Sequence, residues 1–364
     1  MTLKIQPIFE LRNEITDTAA DTEAIVLSSR IRLARNLRGY RFPQWAEMAQ
    51  RRDILQKVEA ALSHEPKFAQ GLFLPVDQLE EIERQVLVER HLISRELTEQ
   101  KPGSAVVITV DQSSAVMINE EDHLRIQMLE RGFDFDKLWS KIDALDTGLE
   151  ERLDFAFDPE LGYLTACPTN TGTGLRASVM MHLPGLVISG EMEKVIRAVG
   201  QLGLAVRGWL GEGSDASGSV FQISNQQTLG ESEGKIMHKL TGVLKTIVEQ
   251  EENARLRLLE KDAAVLHDRI GRAFGTLRHA RVLSSSEAMN HLSLLRLACD
   301  LGFLPVGERA RLDRLFIETQ PAHVQVLAHE ALTSRRRDLQ RADLIREEIV
   351  RLPEPNFDNA SDRD

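Results

Sequence analysis

The strand-forming segments of this chain are short and follow one another without regular helices between them. Apolar runs at 105–110, 115–118 and 124–129 are separated only by tight turns that contain Asp111-Gln112 and Asn119-Glu120. This spacing predicts an antiparallel meander, because a doubly wound parallel sheet needs a helix between successive strands. We therefore expect an α+β fold, an antiparallel sheet flanked by helices.

A change of pattern near residue 258 predicts a second, all-helical domain. Further strands are predicted at 161–166, 203–209 and 220–224, and helices at 45–62, 77–90 (with Asp77 as N-cap), 134–155, 190–202 and 231–262. Beyond residue 258 leucines and arginines recur at helical spacing, with a long helical run over 323–351 and no strand signal. We predict an N-terminal arm (1–23), a catalytic domain (24–257), a helical regulatory domain (258–352) and a flexible tail (353–364).

Charge and cysteine content exclude some classes of protein. The formal net charge of −11 argues against a nucleic-acid-binding protein, which would usually carry a basic excess. Two cysteines, Cys167 and Cys299, cannot form a disulfide framework, and no apolar run approaches the length of a membrane helix. No secretory signal is visible, so a cytoplasmic protein is expected.

The segment SSRIR at 28–32 places two arginines in a predicted strand. Alternate side chains of a strand share a face, so Arg30 and Arg32 are expected to point the same way. Two guanidinium groups on one face repel each other unless an anion lies between them, and a polyphosphate is such an anion. A solvated strand face is the alternative.

Three further segments contain candidate catalytic or anion-binding residues. In NEEDHLRIQ at 119–127 consecutive acids precede Arg125, and they either hold a cationic substrate, supply a base, or form an ordinary solvated turn. CPTNTGTGLRA at 167–177 is a small-residue loop that could bring backbone N–H groups to an anion. RGWLGEGS at 207–214 is a strand end followed by a glycine loop with one carboxylate. Each of the two loops is a weak signal alone.

Common phosphate and metal motifs are missing from the sequence. GESEGK at 230–235 does not have the spacing of a GxxxxGK[ST] loop, and no HRD–DFG set occurs. No HExxH or paired CxxC motif occurs either, so no protein-bound metal site is expected. If phosphates bind here, arginines must hold them.

Taken in order, VLSSRIRLARN (26–36), NEEDHLRIQ and CPTNTGTGLRA resemble the ATP:guanidino phosphotransferases, the family of creatine and arginine kinases. The form of 207–234 and the string RDLQRA at 337–342 are more similar to the bacterial protein-arginine kinases of the McsB type. The first motif also begins at residue 26, whereas phosphagen kinases carry a helical domain before it.

The resemblance implies roles for individual residues. Glu121 is implied as the catalytic base, Glu212 as the carboxylate that grips the guanidinium, and Cys167 as a reactive cysteine beside it. A small loop residue is the less favoured alternative for Cys167. The implied ATP-binding positions are Ser28, Ser29, Arg30, Ile31, Arg32, His91, Arg125, Arg176, Ala177, Ser178, Val179, Met180, Arg207, Gly208, Trp209, Leu210 and Gly211. Mg²⁺ is implied as the ion that accompanies ATP.

The resemblance also implies regulation and partners. Arg337, Asp338, Arg341 and Ala342 match a motif that binds phosphoarginine allosterically, although RRRD on a helix could instead be a solvated basic face. Implied partners are protein substrates with exposed arginines, a zinc-binding activator protein, a Clp-type ATPase–protease and a second copy of the chain. No nucleic acid or membrane is implied.

The family members differ in function, so three hypotheses remain. The favoured one is phosphorylation of arginine side chains in proteins, which marks those proteins for proteolysis under stress. The second is a free-arginine kinase that buffers ATP. The third is an inactive regulator, which the retention of Glu121, Glu212 and the arginines disfavours.

Overall fold

An eight-stranded, fully antiparallel sheet lies at the centre of the region before residue 226. The computed structural model describes residues 4–10, 24–99, 102–209 and 217–358. The strands are β1 (Val26–Arg35), β2 (Leu72–Pro75), β3 (Ala105–Ile108), β4 (Ser114–Ile118), β5 (Leu124–Arg131), β6 (Phe157–Asp158), β7 (Gly162–Tyr163), β8 (Leu175–His182), β9 (Leu204–Gly208) and β10 (Val220–Asn225). Their order in the sheet is β2–β3–β4–β5–β1–β8–β10–β9, and β6 and β7 form a separate hairpin. The predicted antiparallel α+β fold is confirmed.

The predicted meander is present as β3, β4 and β5, which are neighbours in the sheet. Gln112 and Asn119 take left-handed backbone conformations in its two turns, with φ of 55° and 54°. The predicted strand at 161–166 is wrong in extent. Only Gly162–Tyr163 forms strand there, because the chain then leaves the hairpin for the loop that contains Cys167.

Apolar and polar side chains alternate along the central strands, which gives the sheet an apolar face and a polar face. On β1 the apolar side chains Ile31 and Leu33 enter a core that also contains Ile126 and Val179. Residues of opposite parity, such as Arg30 and Arg32, lie on the other face. The helices that cover the apolar face therefore leave the middle of the polar face available for a ligand.

The helices are α1 (Gln6–Glu10), α2 (Met48–Leu62), α3 (Pro66–Ala69), α4 (Glu81–Glu89), α5 (Arg95–Thr98), α6 (Phe135–Glu150), α7 (Pro184–Ile188), α8 (Met192–Gln201), α9 (Glu233–His279), α10 (Ser285–Asp300), α11 (Arg309–Glu318), α12 (Pro321–Leu327) and α13 (Ser334–Ile349). The prediction that Asp77 caps the helix over 77–90 is wrong. Asp77 lies in a 3-10 turn, and α4 begins after Glu80, whose N–H donates to the Glu83 side chain at 2.9 Å.

The helix predicted over 231–262 is longer in the structure. It continues as α9 to His279, with one non-helical residue at Asp262 (φ −131°, ψ 28°). It therefore crosses the predicted domain boundary near 258, and the division into domains remains a prediction. The run predicted over 323–351 is also divided, into α12 and α13.

The helices after residue 258 share a core with the polar face of the sheet. One apolar cluster contains Met180, Trp209 and Val220 from the sheet region together with Phe274 and Phe316 from α9 and α11. As predicted, no strand occurs between residues 258 and 358. None of the helices in the described ranges is long and apolar enough to cross a membrane.

Candidate functional site

Five arginines from four strands lie on the polar face of the sheet. Arg32 on β1 is directly opposite Arg176 on β8, and Arg125 on β5 is opposite Ala34. Directly opposed residues of an antiparallel pair project from the same face. The structure thus brings together five of the predicted phosphate ligands, which are Arg30, Arg32, Arg125, Arg176 and Arg207.

This arginine cluster is electrostatically unfavourable by itself. Burial lowers the pKa of Arg30 to about 10, and the positive charges of Arg125 and Arg176 contribute. Burial and the neighbouring Arg30 hold the pKa of Arg32 well below its ordinary value, and Arg32 Nε has no hydrogen-bond partner among the described residues. A bound anion would relieve both the repulsion and the loss of solvation.

Arg125 is held differently from the other arginines. Burial lowers its pKa, but the Glu120 carboxylate that it contacts, together with Glu121, more than offsets that effect and the pKa is raised. Glu120 is fully buried and also accepts from the Ser94 hydroxyl. Sequence reasoning assigned Glu120 no role of its own, yet it is the residue that anchors Arg125.

Glu121 and Asp122, which follow Glu120 in the same turn, lie in different environments. Burial and the adjacent Asp122 raise the pKa of Glu121, whose side chain stays about one-third exposed (32%). Asp122 is buried, and one of its oxygens accepts from Asn36 Nδ2 at 2.6 Å and from the Ala166 N–H at 2.7 Å. Asp122 therefore fastens the turn that carries Glu121 to the loop that carries Cys167, a role that sequence reasoning missed.

The Cys167 loop lies beside the arginine cluster. A negative charge on Cys167 or Glu121 acts to raise the pKa of Arg176, although burial and Arg207 lower it overall. Cys167 Sγ contacts Thr169 Oγ1 at 3.0 Å. Gly172 takes a φ of +115°, and a Cβ there would lie 2.8 Å from the Thr228 carbonyl oxygen. Any larger residue at position 172 would therefore displace the backbone of the Cys167 loop.

His91 lies at the end of α4 in a left-handed conformation with φ of 59°. Its ring meets the Trp209 indole edge-on at 5.1 Å, and burial followed by the charges of Arg30 and Arg32 lowers its pKa to about 3. His91 Nε2 and Trp209 Nε1 are buried and have no hydrogen-bond partner among the described residues. Both atoms are therefore available to a ligand.

Two adjoining cavities share His91 and Trp209. The first, about 230 Å³, is walled by Ser28 and Met180 of the sheet and by Phe316 of α11. The second, about 410 Å³, is lined by four arginines, by the acids Glu96 and Glu99, and by Gln222, whose Oε1 accepts from Arg30 at 2.7 Å. One cavity is largely apolar and the next is cationic, which suits a base joined to phosphates.

Several of the other predicted ATP-binding positions do not present side chains to this face. Ser29 is buried and donates to the Gly132 carbonyl at 2.7 Å, and Ile31, Ala177 and Val179 belong to the core on the opposite face. These residues can meet a ligand only through their backbone. Ser178 lies opposite Arg30 on the polar face, whereas Gly208, at the end of β9, lies opposite Phe221 of the core face. Leu210, Gly211 and Glu212 lie outside the described residues.

Only some residues of the predicted phosphoarginine-binding motif are accessible to a ligand. Arg341 is buried, and its guanidinium donates to the carbonyls of Thr319 and Leu283 and to Asp338 Oδ1, at 2.7, 2.8 and 2.6 Å. Ala342 is fully buried. Arg337 lines a cavity of about 790 Å³ between α4 and α12. Arg337 and Asp338 are thus the accessible members, and Arg341 holds the helices together.

The described residues contain no group of three or more His, Cys, Asp or Glu side chains that could hold a metal ion. The carboxylates near the arginine cluster are instead tied to Arg125 or to backbone N–H groups.

Sequence comparison agrees with this geometry. A family model described as "ATP:guanido phosphotransferase, C-terminal catalytic domain" matches residues 53–254, and a second, "Protein-arginine kinase McsB C-terminal domain", matches residues 263–360. The protein-arginine kinase of Halalkalibacterium halodurans is 46% identical over 334 residues, which cover 91% of this chain and 94% of that protein. The chain belongs to the protein-arginine kinase branch of the ATP:guanido phosphotransferase family.

Other members of this family show the same likeness. The protein-arginine kinase of Geobacillus stearothermophilus is 45% identical over 89% of this chain and 90% of its own length. Among solved structures, a taurocyamine kinase from Schistosoma mansoni aligns with a TM-score of 0.58, 24% identity, and coverage of 65% of this chain and 34% of that one. A lombricine kinase aligns with a TM-score of 0.57, 24% identity, and coverage of 66% and 70%. These structures share the fold of the sheet domain.

Proposed function

We propose that this chain transfers the γ-phosphoryl group of ATP to arginine side chains of proteins. The observation that carries the proposal is the pair of adjoining cavities, one largely apolar and one lined mainly by arginines, that meet at His91 and Trp209. Glu121 and Cys167 lie beside Arg176, where the phosphate end of a nucleotide would meet an acceptor.

The arginine cluster is suited to phosphoryl transfer. In the proposed complex Arg30, Arg32 and Arg176 neutralise the polyphosphate, and Mg²⁺ bound with the nucleotide supplies further positive charge. Phosphoryl transfer needs little covalent work from the protein, so positioning and charge neutralisation supply most of the rate enhancement. Because the strands hold these guanidinium groups in a partly buried position, they need little reorganisation as the transition state forms.

Glu121 is the proposed general base. The acceptor guanidinium has a pKa above about 12 and must lose a proton as the N–P bond forms. The raised pKa of Glu121 brings its basicity closer to that task than an ordinary carboxylate. Glu212, outside the described residues, is proposed to grip the other edge of the guanidinium.

Protein arginine is favoured over free arginine as acceptor. The curated relatives that match over nine-tenths of their length are protein-arginine kinases, and the region after residue 262 matches the C-terminal domain of that group. We further propose that phosphorylated proteins are directed to a Clp-type ATPase–protease as part of a stress response in the cytoplasm. A zinc-binding activator, a homodimer and allosteric binding of phosphoarginine at Arg337 and Asp338 belong to the same proposal.

The deciding experiment supplies Mg-ATP with either free L-arginine or unfolded casein and measures acid-labile phosphate on each acceptor. Phosphate on casein alone supports a protein-arginine kinase. Phosphate on free arginine alone would replace it with a phosphagen kinase, and the absence of turnover on both would indicate an inactive regulator. Glu121→Gln is expected to bind ATP normally and to lose nearly all transfer, whereas retained transfer would remove Glu121 as the base.

A further inference from the structure

Three consecutive residues at the end of α4 reach three different parts of the molecule. Glu89 contacts α12 of the helical region, Arg90 contacts α1 near the start of the chain, and His91 borders the two ligand cavities. The end of α4 is therefore the junction between the helices after residue 258 and the nucleotide site.

Glu89 caps α12 from outside that helix. One carboxylate oxygen accepts from the Ala322 N–H at 2.8 Å, and the other accepts from the His323 N–H at 3.0 Å. Gln320, the residue at the N-cap position, provides no side-chain cap, so Glu89 satisfies the first free amides of α12. Glu89 is only 6% exposed, and it also borders the cavity lined by Arg337.

His323 connects Glu89 to Arg90. Burial lowers the pKa of His323 although Glu89 opposes the shift, so the ring is neutral. A neutral ring has one donor and one acceptor nitrogen. Nδ1 lies 2.7 Å from Glu89 Oε2 and donates to it, while Nε2 accepts from Arg90 Nε at 3.2 Å. Arg90 in turn donates to the Ile8 carbonyl at 2.6 Å, so the junction has few degrees of freedom.

The position of His91 is fixed by the end of α4 on one side and by strand β5 of the sheet on the other. Gln127 of β5 donates to the carbonyls of His91 and Leu92 at 2.9 and 3.0 Å, which supports the left-handed turn at His91. A non-glycine residue in this conformation is strained and persists only where its surroundings hold it. A shift of Glu89 would therefore move the His91 ring relative to Trp209.

We propose that Glu89 is a positioning residue, through which the seating of α12 sets the orientation of His91 and hence the affinity for the nucleotide. The inference rests on the proposed ATP site. It concerns the binding of nucleotide and not the choice of acceptor.

The test is the substitution Glu89→Gln in the full chain. Glutamine keeps one acceptor oxygen, but its NH₂ group would face an N–H of α12 or His323 and leave that donor unpaired. We expect the Kd for ADP, measured by isothermal titration, and the KM for ATP to rise about fivefold or more. The kcat at saturating ATP is expected to change much less, because Glu89 does not touch the reacting atoms.

Glu83→Gln is the matched control. Glu83 is on the same helix, is 2% exposed, and also accepts from backbone N–H groups, those of Ile5 and Glu80 at 3.3 and 2.9 Å. Its partners lie just before α4 and just before α1, away from α12. The control is expected to lose stability and to keep the native Kd for ADP. An equal loss of affinity in both variants would overturn the proposal, because destabilisation of α4 would then explain it.

A second variant tests the route through His323. Glu89→Gln and His323→Asn are expected to be non-additive in the Kd for ADP, because both disturb one hydrogen-bonded unit. Glu89→Asp, which keeps the charge, is expected to recover part of the affinity. Native affinity in a folded Glu89→Gln protein would overturn the positioning role and leave the kinase proposal intact. A native chain that binds no ADP would overturn both.

Discussion

Adjacent acids in one turn are given different chemistry by their neighbours. Glu120 is fixed by Arg125 and Ser94, Asp122 is fixed by Asn36 and the Ala166 N–H, and Glu121 retains contact with solvent. Burial raises the pKa of both Glu121 and Asp122, but only Glu121 combines a raised pKa with access to solvent. The base of the proposed reaction is thus selected by its surroundings.

The pH dependence of turnover follows from the raised pKa of Glu121. A general base acts in its ionised form, so activity is lost as pH falls through that pKa. We expect the acid limb of kcat/KM, which reports the enzyme before substrate binds, to lie above 4.5, the ordinary pKa of this side chain. ADP release should be followed, because phosphoarginine is itself acid-labile. A limb at or below 4.5, with the fold intact by circular dichroism, would contradict the assignment.

The charge of Asp122 can be removed without removing its hydrogen bonds. Asn36 and Ala166 both donate to the same oxygen, which an asparagine at position 122 would retain. Since the charge of Asp122 raises the pKa of Glu121, Asp122→Asn is expected to shift the acid limb of kcat/KM to lower pH. Asp122→Ala loses both bonds and serves as the contrasting variant, with lower kcat at every pH. An unmoved acid limb in Asp122→Asn would count against Glu121 as the titrating group.

Some features of the individual site residues could be predicted from the sequence, and others could not. Alternation on β1 was enough to predict that Arg30 and Arg32 share a face, because side-chain direction in a strand has a period of two. The anchoring of Arg125 by Glu120 and the link from Asp122 to Ala166 were not predicted. The contact between Asp122 and Ala166 joins segments that are distant in sequence. Glu120 and Arg125 are close in sequence, but a run of acids has no local signal that separates a buried acid from a solvated one.

At the level of elements, the loop that carries Cys167 depends on close backbone contacts. A Cβ at Gly172 would meet the backbone of Thr228 and Leu229 at 2.8–3.0 Å, at a φ of +115°. Gly172→Ala is therefore expected to displace the loop and to lower kcat by about tenfold or more, since small displacements of reacting groups are expensive in rate. Steady-state kinetics with casein would measure the change.

Gly190→Ala is the matched control for that prediction. Gly190 also has a positive φ of +69°, but a Cβ there would have no atom within 4 Å. It should lose about 1–2 kcal/mol of stability from backbone strain and keep its kcat. Equal kcat values for the two variants would show that the contacts at Gly172 do not shape the site.

Element boundaries were the weakest sequence predictions, for identifiable reasons. α9 was expected to end near 262, but Leu258 and Leu266 are both buried and packing carries the helix past the irregular Asp262. The cap at Asp77 was wrong because Glu80 and Glu83 offer a capping arrangement three residues later. For α9, tertiary packing was more favourable than the helix end predicted from sequence. For α4, a neighbouring capping arrangement was more favourable than the predicted cap.

For the whole molecule, Arg296 ties the helical region to the sheet. It is fully buried and donates to the Ala24 carbonyl at 2.6 Å and to Asp313 at 2.6 Å, and it lies 3.1 Å from His182 Nδ1. Removing one partner of a buried ion pair leaves the other charge unpaired. Arg296→Ala is expected to lower the free energy of unfolding by about 3–5 kcal/mol, measured by urea denaturation.

Arg314→Ala is the control for this prediction. Arg314 is also on the helical region and pairs with Glu348 at 2.7 Å, but its side chain is 25% exposed. Its removal should lower the free energy of unfolding by less than about 1 kcal/mol. A loss at Arg296 no larger than that at Arg314 would mean that the sheet and the helical region are held together mainly by their shared apolar cluster.

The like charges on the polar face have a consequence for the folded protein as a whole. Arg30, Arg32 and Arg176 are held close together and partly out of water by the strands that carry them, so their mutual repulsion opposes folding. A ligand that binds only the folded state adds stability that grows with its concentration. The melting temperature should therefore rise with ATP or with simple polyanions such as pyrophosphate. A cell whose nucleotide pool falls would then hold a kinase that is not only idle but also easier to unfold.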